Sequence, residues 1–209
     1  MSQYFEVHPD NPQSRLIKQA VGIIEKGGVV AYPTDSCYAL GCHLGDKRAM
    51  DRIARIRQTD ANHNFTLVCR DLSDIALYAK VTNSTFRLLK TLTPGPYTFV
   101  LRATSEVPRR LQNPKRKTIG LRVPDNAICE ALLAQLGQPL MSSTLLLPDA
   151  DLPETEPDEF RHKLEHAVDL IIDGGHCGLE PTTVLHIADD DEVTVGRHGK
   201  GDISFLENA

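Results

Sequence analysis

Tryptophan is absent from this sequence, and aromatic residues make up only 5% of its 209 positions, so a core must rest on Leu, Ile, Val and Ala. Long apolar runs are missing too, since nothing approaches the ~20 consecutive apolar residues that a bilayer span requires. The opening segment MSQYFEVHPDNPQSR lacks the apolar stretch of a secretory leader. Cysteines are few, odd in number and never spaced CxxC. Cys37, Cys42, Cys69, Cys129 and Cys177 are therefore expected as free thiols in a reducing compartment, not as a disulfide framework. These absences predict a cytoplasmic protein with no membrane partner and no metal site. Positive charge is short overall, with a net −5 at pH 7, which argues against a general nucleic-acid binder and against DNA as a partner.

What is present suits one folded domain over 1–209: 41% hydrophobic and 24% charged residues are ordinary globular values that allow a sizeable core. The charge is uneven. Between Arg102 and Arg122 stand seven basic residues, Arg102, Arg109, Arg110, Lys115, Arg116, Lys117 and Arg122, against the single acid Glu106. Screening acts over roughly 8–10 Å, so such a stretch attracts a polyanion even on an acidic body; it also reads as a solvated loop.

Periodicity predicts alternating helices and strands. Ser14 is positioned to cap a helix to about Lys26, stopped by Gly27-Gly28. A strand follows over 29–32, a second over 39–43, and Asp46 caps a helix ending near Arg57. Strands are expected at 65–69, 97–102, 118–123, 140–143, 168–172, 183–187 and 193–196, and helices at 72–79, 85–92, 126–136 and 159–166, with 148–159 as an exposed acidic, proline-bearing loop. This order implies an α/β fold, a single twisted mixed sheet with flanking helices.

Several motifs fail on inspection. His162-Lys-Leu-Glu165-His166 spells HxxEH, but little helical sequence follows to supply a further zinc ligand, and a polar helix surface explains it. Gly196-Arg-His-Gly199-Lys200-Gly201 lacks the loop length and the Ser/Thr of a phosphate-cradling loop. Ser142 and Ser143 sit on no GxSxG turn.

One constellation stands. Pro33-Thr34-Asp35-Ser36, Arg122-Val-Pro124, Ser142-Ser143-Thr144 and Pro181-Thr182-Thr183 each end or adjoin a predicted strand, where open α/β sheets bind ligands. Hydroxyls there donate to phosphate or carboxylate oxygens without adding charge, and Arg clamps them bidentately. Arg57 and Arg197 add cations. Each segment alone reads as ordinary turn chemistry.

In order and spacing, PTDSCYALG (33–41), TPGPYTFVL (93–101), TIGLRVP (118–124) and PTTV (181–184) resemble the YrdC-like domain over about 15–202. The segment RIRQTDANHNFTL (55–67) and the start of the chain are similar to its YciO branch. The resemblance implies a concave basic surface and relatedness to threonylcarbamoyl-AMP synthase, which joins L-threonine, bicarbonate and ATP with Mg²⁺ in tRNA modification. It further implies that Thr34 meets threonine, Arg122 pairs with a carboxylate or phosphate, Ser142 and Thr144 line an ATP site, Thr182 sits beside them, and Arg197 closes the pocket. Where the synthase branch has Lys-x-Arg this chain has Arg57-Gln58-Thr59, and where it has Ser-x-Asn this chain has Thr144-Leu145-Leu146. Two hydrogen bonds to charged groups, ~1.5–3 kcal/mol each, correspond to about 10²–10⁴ in rate. With Arg57 and Thr144 retained at the catalytic positions, the expectations are an RNA-binding protein with a nucleotide pocket, its RNA (double-stranded or structured, tRNA or rRNA) held by Arg109, Arg110, Lys115, Arg116 and Lys117, or a weak synthase.

Overall fold

The computed structural model describes residues 1–59 and 65–206. Ten strands and six helices follow in the order β1 (Gln3–Glu6), α1 (Ser14–Glu25), β2 (Val30–Tyr32), β3 (Ala39–His43), α2 (Lys47–Arg57), β4 (Thr66–Val68), α3 (Leu72–Tyr78), α4 (Asn83–Leu92), β5 (Tyr97–Arg102), β6 (Thr118–Arg122), α5 (Ala127–Leu136), β7 (Leu140–Thr144), α6 (Pro157–Leu164), β8 (Leu170–Asp173), β9 (Thr183–Ile187) and β10 (Val193–Arg197). All ten strands join one mixed sheet in the order β1-β8-β2-β3-β7-β4-β6-β5-β9-β10.

Local chemistry sets most boundaries. Asp46 accepts from Ala49 N–H at 3.0 Å and Asn126 from Cys129 N–H at 3.0 Å, opening α2 and α5 as the sequence predicts. Ser14 does not cap α1: it is the first helical residue, after Gln13, whose side chain makes no cap bond. Helix α4 starts at Asn83 rather than 85, because the Thr82 hydroxyl accepts from Thr85 N–H at 3.1 Å. Helix α6 starts at Pro157 inside the expected loop, proline's fixed φ being suited to a first turn, and it ends at Leu164, before His166. Strand β1 is not foreseen.

Strand alternation divides the sheet into two faces. One carries Ala31, Leu40, Leu67, Met141, Phe99, Leu121 and Leu185 into the larger core, under Ile53 of α2, Ile75 of α3, Leu89 of α4 and Phe160 of α6. The other carries Val30, Tyr32, Ala39, Val68, Leu140 and Leu170 against α1 and α5 through Ile17, Ile24, Ile128 and Leu132. At ~25 cal/mol per Å², these apolar layers drive the fold, and the low aromatic content is met by aliphatic packing.

The helical cover on the second face runs out near β7 and β4. Beyond it the residues of that face turn polar or small. Cross-strand partners define a row running Gly41, Ser142, Thr66, Gly120, Val100 and His186. This uncovered half is the polar part of the sheet.

Candidate ligand-binding site

A cavity of about 430 Å³ lies on the uncovered half-sheet. Its floor is built from every second residue: Ser142 and Thr144 of β7, Thr66 of β4, Thr118, Gly120 and Arg122 of β6, Thr98 and Val100 of β5, and Val184 and His186 of β9. A Cβ on Gly120 would sit 3.2 Å from Thr66 Oγ1 and 3.4 Å from Thr98 Cγ2, tight contacts that require these neighbours to give by a few tenths of an ångström.

Among the described residues four arginines line this space, Arg57, Arg116, Arg122 and Arg197, and no carboxylate does. Arg122 is 8% exposed. Its Nη2 donates to Asp35 Oδ1 and to Ser36 Oγ (3.3 Å), and its buried Nε has no hydrogen-bond partner among the described residues. Arg57 donates through Nη1 to Ser143 Oγ. Arg197 donates to the Thr182 carbonyl from Nε (3.1 Å) and Nη2 (2.9 Å), and to Thr182 Oγ1 (3.2 Å), which itself bonds Thr98 Oγ1 at 2.8 Å. Burial lowers the pKa of both Arg57 and Arg197 from the ordinary arginine value, the direction expected when a cation loses solvation. An anion would restore that loss.

Of the sequence-predicted site residues, Arg57, Arg122, Ser142, Thr144, Thr182 and Arg197 therefore share one cavity, and Arg116 joins them from the basic stretch. Thr34 is not in the lining. Its hydroxyl donates to the Cys37 carbonyl at 2.7 Å and accepts from Ser36 N–H at 3.2 Å, which turns the 33–37 loop so that Ser36 and Cys37 face the cavity. Burial pushes the Cys37 thiol pKa up. Thr59 and Leu146, each two residues beyond a lining residue, are themselves outside the lining. Gly120, Thr66 and Thr98 are lining residues that fall within the quoted segments but are not singled out by them, and His186 lies in none of them.

Arg109, Arg110, Lys115, Arg116 and Lys117 are all exposed. Two other cations of that stretch are engaged, Arg102 with Asp189 and Arg122 with Asp35. The Gly199-Lys200-Gly201 segment is a packed strap. Lys200 N–H donates to the Pro181 carbonyl at 2.9 Å and Gly199 N–H to Thr183 Oγ1 at 3.1 Å, and a Cβ on Gly199 would stand 2.2 Å from Pro181 O.

The donor set does not suit a protein-held magnesium ion, which takes carboxylates. Among the described residues no group of His, Cys, Asp or Glu could hold a metal, and no helix is long and apolar enough to cross a membrane.

The family model for Sua5, YciO and YrdC, described as "Telomere recombination", matches residues 22–199. The chain is 58% identical over 203 residues to the Escherichia coli K12 protein YciO, covering 97% of this chain and 98% of that one. The crystal structure of E. coli YciO superposes with a TM-score of 0.92. A threonylcarbamoyl-AMP synthase of Chromobacterium violaceum is 36% identical over 137 residues, 65% of this chain and 70% of that protein. The crystal structure of P. abyssi Sua5 complexed with L-threonine has a TM-score of 0.89 at 23% identity, covering 99% of this chain and 60% of that one, a likeness of fold.

Proposed function

The chain belongs to the Sua5/YciO/YrdC family, and from that premise we propose that it holds a nucleotide in the concave cavity and binds structured RNA, double-stranded or tRNA- or rRNA-like, on the basic stretch beside it. The observation that carries this proposal is the lining itself: among the described residues, four arginines, a row of hydroxyls and no carboxylate, with Gly120 in the floor. Fixed cations and oriented hydroxyls in a partly dry site favour a phosphate or carboxylate ligand. ATP and L-threonine are the ligands that the named relatives suggest. Magnesium would enter on the phosphate oxygens of ATP, because the described lining offers it no carboxylate.

The RNA half rests on Arg109, Arg110, Lys115, Arg116 and Lys117, exposed cations at the edge of the cavity. Duplex RNA is bound through phosphates and 2′-hydroxyls, which call for cations more than aromatic rings. The test is paired titration with ATP and with a structured RNA. Replacing Arg109, Arg110, Lys115 and Lys117 together with Gln should weaken RNA binding and flatten its salt dependence while ATP binding persists. RNA binding unchanged in that variant would refute the RNA half, and no ATP binding by the unaltered protein would refute the nucleotide half.

A second function, weak or specialised threonylcarbamoyl-AMP synthesis, is favoured by one observation. The retained residues Arg57 and Thr144 line the cavity, whereas the departures Thr59 and Leu146 lie outside it. Incubation with ATP, bicarbonate and L-threonine should then release pyrophosphate only when threonine is present. No threonine-dependent pyrophosphate above a blank counts against it.

A further inference from the structure

The loop that displays the exposed cations also builds the cavity wall. Asn113 and Arg116 line the cavity, while Arg109, Arg110, Lys115 and Lys117 of the same segment stand in solvent. The loop is held in shape. Asn113 Oδ1 accepts from Lys115 N–H (3.1 Å) and Arg116 N–H (2.9 Å), and the Asn113 carbonyl accepts from Lys117 N–H (2.9 Å). Asn113 N–H donates to the Thr118 carbonyl at 2.8 Å, fixing the loop to the start of β6 and so to the cavity floor. Arg116 thus joins Arg57, Arg122 and Arg197 in the lining, the other cations of its segment stand exposed beside it, and among the described residues no carboxylate lines the cavity.

A free nucleotide would use only the inner part of this arrangement. A polynucleotide uses both parts, because its phosphates recur along the strand. The wall also provides for an unpaired base. Phe65, Val100 and Val184 offer apolar contact to its faces, and Thr98 and Thr118 offer hydroxyls to its edges. Arg122, 8% exposed, is among the lining residues, and its guanidinium offers a charged donor to the nucleotide's phosphate. We propose that, in the RNA complex, the cavity is filled by a nucleotide of the RNA itself: one unpaired nucleotide enters past Arg116 while the flanking backbone lies on Arg109, Arg110, Lys115 and Lys117. The inference rests on the nucleotide and RNA binding proposed above and adds that the two share one site.

The experiment compares an RNA duplex of about 16 base pairs, blunt or carrying a short single-stranded tail, with AMP as competitor. The tailed RNA should bind about tenfold or more tightly than the blunt one, the range that stacking of one base supplies. Saturating AMP should erase that difference and leave blunt-duplex binding as it was. In Gly120→Leu, whose side chain fills the floor, tailed and blunt RNA should bind alike, with an unchanged melting transition confirming the fold. Equal binding of the two RNAs by the unaltered protein, or simultaneous binding of AMP and tailed RNA without mutual weakening, overturns the shared site while leaving separate nucleotide and RNA sites standing. Failure of AMP and RNA each to bind alone overturns the underlying function instead.

Discussion

Arg122 and Asp35 form a nearly dry ion pair at the cavity wall, their side chains 10% and 8% exposed. The pair is lopsided. Asp35 uses its second oxygen to accept from Asp125 N–H at 3.0 Å, so one carboxylate ties the 33–37 loop to the segment after β6. Arg122 is held from one side, through Nη2, and its buried Nε has no hydrogen-bond partner among the described residues.

Arg122→Gln should therefore show two separable losses. It strands Asp35 as a buried, unpaired charge, a defect that costs about 3–5 kcal/mol of stability. It also removes a charged donor from the ligand, worth ~1.5–3 kcal/mol, or roughly 10–100-fold in nucleotide affinity. Chemical denaturation reads the first and calorimetric titration the second. Arg122→Lys should restore part of the stability but little of the affinity, because a point charge cannot replace the planar fork.

Gly120→Leu should act on the ligand first, its backbone replacement contributing about 0.5–1 kcal/mol and the 3.2 Å approach to Thr66 Oγ1 demanding a shift of a few tenths of an ångström. Nucleotide binding should be lost, because the new side chain occupies the cavity. A folded Gly120→Leu protein that binds ATP normally would place the ligand elsewhere.

His186 should mark the acid side of the stability profile. Burial, and then the charge of Arg116, hold its pKa below the ordinary 6.5. The unfolded chain consequently binds a proton at higher pH than the folded one. Stability is full above 6.5 and falls as the pH drops below it, until the folded pKa is passed. His186→Gln should shallow this slope below pH 6.5, measured by urea denaturation at each pH. An identical slope in the variant would remove His186 from the explanation.

The thiols should be silent in the folded state. All five cysteines are free and buried. Burial raises the Cys177 pKa to about 11 and that of Cys42 to about 12, and it pushes Cys37, Cys69 and Cys129 upward as well. Thiolate, the reactive form, is therefore scarce at neutral pH. Alkylation should be slow until the protein is unfolded, and Cys37, which lines the cavity, should gain protection when a nucleotide is bound.

Much of this architecture is legible in local sequence chemistry. Asp46 and Asn126 announce α2 and α5 because capping is a property of three or four consecutive residues. Strand β1 is not legible, because it exists only through parallel pairing of Gln3–Glu6 with Leu170–Asp173, far along the chain. The cavity is half legible. Arg122, Ser142, Thr182 and Arg197 stand in recognisable segments, yet Thr34, in the most motif-like of them, spends its hydroxyl on its own turn. Gly120, Thr98 and His186 belong to the floor through register alone. The available signal was alternation: polar or small Thr118, Gly120 and Arg122 interleave with buried Ile119 and Leu121, and Thr98 and Val100 with Phe99 and Leu101. Such a pattern says that one face is uncovered, but not that five neighbouring strands leave it uncovered together.

The most direct measurement is a crystal structure of the protein soaked with an ATP analogue and L-threonine. Ligand density should lie over Gly120, with an anionic group within hydrogen-bond reach of the Arg122 guanidinium and further oxygens facing Arg57 or Arg197. A cavity that stays empty at saturating ligand, or density confined to another surface, would contradict nucleotide binding at this site.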